Sequence, residues 1–133
     1  MDEQEKTTKP HDPAPAGTED FARELAQLAA DRHCTDVVIL DLKGRSPIAR
    51  YFVIGTGTSE QQIRSVAEEM ATLGKQKDHA PYNRAGLQQG RWAVVDLVDI
   101  VVHLFDEEFR NFYDLELLWG DAPKVAWSRD ETD

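Results

Sequence analysis

A chain of 133 residues with an apolar fraction of 41% is enough for one domain around one core and too short for two ordinary ones. It carries a formal charge of −10, one cysteine and no apolar run near the ~18 residues of a membrane span. Those values exclude an internal disulfide and a transmembrane helix, and they argue against wrapping a phosphate backbone.

Residues 1–17 hold charges and prolines without an apolar period and are expected to be a disordered tail. Their opening, M-D-E-Q-E-K-T-T-K-P, has neither a secretory nor a transit pattern, so with the lone Cys34 a cytoplasmic location is expected. Thr18 is the expected N-cap of a helix whose apolar positions Phe21, Leu25, Leu28 and Ala29 recur through about His33. D-V-V-I-L-D-L at 36–42 and Y-F-V-I at 51–54 are apolar at both parities, which predicts strands covered on both faces. After G-T-G-T-S at 55–59, Ser59 and Gln62 form a capping box for a helix lined by Ile63, Val66, Ala67, Met70 and Leu73, with Gly74 at or near its end. Residues 75–90 are polar and glycine-punctuated, with a short edge strand expected near Tyr82. W-A-V-V-D-L and D-I-V-V-H-L-F follow as two strands joined tightly around Leu97–Asp99. A short helix starts near Asp106, where Arg110 is spaced to pair with Asp106 and Asp114 at i,i+4. Little pattern follows Gly120, and 121–133 are expected to be a disordered tail. The order predicts one α/β or α+β domain over 18–120, a mixed sheet flanked by helices.

The charge is uneven. Between Asp96 and Glu116 lie seven acids and one base, Arg110. That segment favours a basic protein partner, or else is a solvated acidic face. The last helix is apolar on more than one side, with Phe109, Phe112, Tyr113, Leu115, Leu117, Leu118 and Trp119. It either closes the core or offers aromatic anchors to another chain, and Trp92 at a strand start is a similar candidate.

Catalytic chemistry finds little support. G-T-G-T-S lacks the Walker lysine and the third glycine of a dinucleotide fingerprint, and a tight strand-to-helix turn explains it as well as a phosphate site. Asp96 and Asp99 are three apart, the wrong spacing for two carboxylates holding magnesium on a strand. His103 is expected to be structural, the other histidines are scattered, and Cys34 has no nameable base. No catalytic, metal-ligating or cofactor-binding residue is therefore expected.

Taken in order, Y-F-V-I-G-T-G-T-S-E-Q-Q-I, W-A-V-V-D-L-V-D-I-V-V-H-L-F and E-E-F-R-N-F-Y-D-L-E-L-L-W resemble the ribosomal silencing factor, or iojap-like, family over about residues 20–119. The resemblance implies a nucleotidyltransferase-like architecture without the catalytic acids. It also implies a non-enzymatic translational repressor that binds the large ribosomal subunit through its protein fourteen. There such a protein blocks joining of the small subunit when nutrients are short. Homodimers off the ribosome are implied too. By matching positions, Trp92 and Tyr113 belong to the partner-binding surface, and Asp99, His103, Glu116 and Trp119 fall in the family signature. Adding the acidic segment, the expected partner-binding set is Trp92, Tyr113, Asp99, Glu107 and Glu116. The chain departs from the family at Arg50, Ala85 and Val98, the last replacing a glycine in the D-x-G-D turn. The alternatives are a nucleotidyltransferase-like nucleotide-handling enzyme and an RNA-binding module, the latter disfavoured by the charge.

Overall fold

The computed structural model describes residues 17–79, 83–86 and 90–127. Residues 1–16 and 128–133 of the expected tails at 1–17 and 121–133, and Tyr82, lie outside the described residues. Helix α1 spans Thr18–Asp31, with Phe21, Ala22, Leu25, Ala26 and Ala29 turned to the core. Thr18 is not its cap. Gly17 holds that position in the left-handed region with no side-chain hydrogen bond, while Thr18 is a buried first helical residue. The helix closes near the expected His33. His33 sits at φ 74, its N–H donates to Ala30, and the Cys34 N–H donates to Ala29 at 2.9 Å. That is a Schellman closure built without glycine.

Strands β1 (Thr35–Asp41), β2 (Tyr51–Thr56), β3 (Asn83–Ala85), β4 (Trp92–Asp96) and β5 (Ile100–Phe105) form one sheet in the order β1-β2-β5-β4-β3. β2 and β5 run parallel at its centre, and the remaining neighbours are antiparallel. Both central strands are buried at every residue, the outcome that two apolar parities predict. Residues such as Ile39, Val53, Val95 and Val102 face α1 and helix α2 (Glu60–Gln76). Phe52, Ile54, Val101 and Phe105 face the other way, with Trp92, Phe109, Leu115 and Trp119 packed against them. The sheet is thus a shared wall between two apolar layers.

Ser59 caps α2 by accepting from the Gln62 N–H at 3.0 Å, while Gln62 Oε1 accepts from the Thr58 N–H. Gly57 is required by the same turn, because a Cβ there would stand 2.2 Å from Ile63 Cγ1. The G-T-G-T-S stretch therefore serves close strand-to-helix packing. Gly74 lies inside α2, where a Cβ would meet the His79 carbonyl at 2.5 Å.

The segment after Gly120 runs against the outer edge of β1. The Asp41 N–H donates to the Pro123 carbonyl at 2.8 Å, the Val125 N–H to Ile39 at 2.9 Å, and Trp127 Nε1–H to Val37 at 2.9 Å. From α1, Arg23 and Gln27 donate to the carbonyls of Ala126 and Trp127. Residues 123–127 thus dock on the edge of the sheet rather than forming a tail. Backbone groups on an open edge seek partners, and this segment supplies them.

Candidate partner-binding surface

Helix α3 (Glu107–Tyr113) leaves β5 directly and turns at Asp114 into a single-turn helix α4 (Leu115–Leu118). Asp106 starts α3, its Oδ1 accepting from the Phe109 N–H at 2.8 Å. Asp114 sits at φ 33, ends α3 and caps α4 through the Leu117 N–H. Because the helix breaks there, Arg110 pairs with Glu116 instead of the expected Asp106 and Asp114. Its Nε and Nη2 donate to the Glu116 carboxylate at 3.1 and 3.0 Å. Nη1 donates to the Asp36 carbonyl at 2.5 Å and to Thr56 Oγ1 at 2.8 Å. One buried guanidinium therefore ties α3 and α4 to the ends of β1 and β2.

Arg91 does similar work at the start of α3. It donates to Asp106 at 2.6 Å and Glu108 at 2.8 Å, and its guanidinium lies 4.1 Å over the Phe109 ring. Burial pushes the Asp106 carboxyl up, but Arg91 and the Phe109 N–H outweigh it and hold it below its ordinary value. Arg91 and Arg110 thus pair with Asp106, Glu108 and Glu116 and offset two of their three negative charges. Glu107 has no ion pair among the described residues, so the acidity of this end is narrower than the sequence count implies.

Between these charged flanks the surface is greasy. Phe112 is 76% exposed, Leu117 76%, Leu118 72% and Tyr113 45%. Tyr113 rests on Trp92 with ring centroids 4.7 Å apart, and Trp92 stacks in turn on Phe105 at 4.8 Å. Below that pair, Trp92 Nε1–H donates to His103 Nδ1 at 3.2 Å. His103 is buried, burial alone pushes its pKa down to about 4, and its Nε2 has no partner among the described residues. A cleft of about 350 Å³ opens beside the patch, between Asp36 and Thr56 on one side and Glu107, Arg110 and Glu116 on the other.

The fold brings four of the five expected partner-binding residues to one end of the sheet. Trp92 and Tyr113 form the aromatic stack, and Glu107 and Glu116 line the adjoining cleft. Asp99 stands apart. It precedes β5 at the opposite end, roughly 20 Å along the strand from Phe105, and its carbonyl accepts from the N–H groups of Arg50 and Tyr51. The neighbouring turn keeps the positive φ a glycine would favour, with Val98 at φ 76. Asp96 Oδ1 accepts the Val98 N–H at 2.9 Å and so braces this turn. Cys34 is buried, which pushes its thiol up to about 11. The sequence spacing gives Arg110 the wrong partners and Arg91 no role; Arg110 as the one base inside the 96–116 acidic stretch was the signal that it would be paired.

Among the described residues no helix is long and apolar enough to cross a membrane. A family model described as ribosomal silencing factor during starvation matches residues 15–133. A ribosomal silencing factor of Halalkalibacterium halodurans is 41% identical over 107 residues, 77% of this chain and 92% of that protein. The chloroplastic Iojap protein of Arabidopsis thaliana is 32% identical over 105 residues, 79% of this chain and 44% of its own. A crystal structure from Bacillus halodurans superposes with a TM-score of 0.71 at 31% identity, over 82% of this chain and 99% of that one. Another, from Chromobacterium violaceum, gives 0.73 at 24% identity over 85% and 95% of the two chains, a likeness of fold alone.

Proposed function

The chain belongs to the ribosomal silencing factor family, and from that premise we propose that it is a cytoplasmic translational repressor. It docks on the large ribosomal subunit through protein fourteen and acts by steric exclusion, keeping the small subunit from joining when nutrients are short. It performs no catalysis in this role. The observation that carries the reading is the exposed apolar face of Phe112, Tyr113, Leu117 and Leu118, supported from below by Trp92. Large side chains left in water beside acids fit a basic protein surface with apolar pockets. Glu107 and the cleft next to it supply the charge that orients such a partner, and Asp99 would contribute from the far end of the sheet only if the contact is wide. Off the ribosome, the same face is the one a second copy would cover.

Sedimentation of the purified protein with separated subunits tests this. Co-migration with the large subunit alone is the expected outcome, weakened by added salt as the acids are screened. Equal migration with both subunits, or with bare ribosomal RNA, would overturn it.

A further inference from the structure

We propose that His103 is a positioning residue for the docking surface, holding the Trp92 indole in the plane on which Tyr113 rests. The inference builds on the docking role proposed above.

His103 occupies the middle of β5, paired with Ile54 of β2 and Val94 of β4. Its imidazole meets Phe52 edge-on at 4.6 Å and lies 6.1 Å from both Phe105 and Trp92. Every neighbour named is aromatic or aliphatic, a setting in which an apolar side chain would serve packing better. Because Nδ1 accepts the indole proton, the imidazole proton must sit on Nε2. That N–H is buried without a partner among the described residues, and an unsatisfied buried donor is destabilising. The histidine thus gives up stability at one nitrogen while the other makes a single directed bond. The bond reaches Trp92, the half-buried ring beneath the exposed patch.

The geometry explains what the bond achieves. Trp92 opens β4 at the sheet's end, and stacking on Phe105 is non-directional, so by itself it does not fix which way the indole N–H points. A hydrogen bond at 3.2 Å to a ring fixed in the central strand sets that direction. Tyr113, 4.7 Å from Trp92, inherits the constraint and is presented to a partner in one arrangement. Without the acceptor, the half-buried indole can turn its N–H to water. Among the described residues no group of three or more His, Cys, Asp or Glu is placed to hold an ion.

The test uses the full chain with His103→Phe, His103→Leu and His103→Gln. Hydrogen exchange of the Trp92 indole N–H is followed by NMR, its signal assigned by loss in Trp92→Phe, and binding is titrated with isolated large subunits. In His103→Phe and His103→Leu the indole exchange should accelerate at least about tenfold and affinity should fall about tenfold. The denaturation midpoint should stay at or above wild type. His103→Gln keeps an acceptor and should restore slow exchange and most of the affinity. Unchanged indole exchange in the folded Phe and Leu variants overturns the inference, as does undiminished binding by them. If wild type does not bind the large subunit, the docking reading fails, and indole exchange in the free variants still decides whether His103 holds Trp92.

Discussion

Lowering the pH should destabilise this protein through His103 in a way that a single substitution removes. Burial pushes the His103 pKa from 6.5 down to about 4, and the imidazole can take a second proton only at Nδ1, where it already accepts from Trp92. As the pH falls, the unfolded chain binds a proton near 6.5 while the folded chain does not. The contribution of neutral His103 is therefore full above pH 6.5, declines as the pH drops toward 4, and levels off below that. At about 1.4 kcal/mol per unit, the depression amounts to about 3 kcal/mol across this window. Urea denaturation of wild type and His103→Phe at steps between pH 4 and 8 reads it directly, because carboxylates common to both chains cancel in the difference. The wild type should lose about 3 kcal/mol more than the variant over the range. Curves that stay parallel within about 0.5 kcal/mol would refute the reasoning, since they would mean that the folded chain protonates His103 as readily as the unfolded one.

Other substitutions probe the remaining features. Val98→Gly should stabilise the fold by about 1 kcal/mol in urea melts, since valine at φ 76 on an exposed turn is strained and glycine is not; a loss of stability would contradict this. Arg110→Ala should cost about 3 kcal/mol by leaving Glu116 and the Asp36 carbonyl without their donor, and Arg110→Lys should not restore the forked pairing with Glu116. Deleting residues 121–127 should lower stability by about 3 kcal/mol and raise concentration-dependent association, measured by melts and light scattering, because β1 loses its edge partner. Tyr113→Ala should weaken binding to the large subunit about thirtyfold while costing only about 1 kcal/mol of stability, as befits a ring 45% exposed.

The strands were legible because V-V-I-L and Y-F-V-I carry apolar side chains at both parities, and a sheet with helices on both sides demands that pattern. The start of α2 was legible in its capping residues. Thr18 misled because Thr-Glu-Asp has the local chemistry of a cap, whereas its burial is decided by contacts the local sequence does not contain. The 123–127 segment escaped because it covers an edge by backbone hydrogen bonds, which need no side-chain period; the lone Trp127 was its only mark. At the surface, the aromatic pair was readable, but Arg110 pointed to i±4 partners until the helix broke at Asp114 and brought Glu116 within reach. Asp99 shares an acidic stretch with the others and yet lies at the far end, since β5 separates them by its own length.

The segment across β1 also sets the timing of folding during synthesis. Val37 and Trp127, which it joins, are 90 residues apart in the chain. At roughly 5–20 residues per second, translation needs roughly 5–20 s to deliver the second after the first. For that interval the nascent chain carries Val37, Val38, Ile39 and Leu40 on a strand whose outer edge has nothing of its own to bond. A growing polypeptide in this state is open to pairing with neighbours on the same polysome, and the exposure ends only when residues 121–127 emerge.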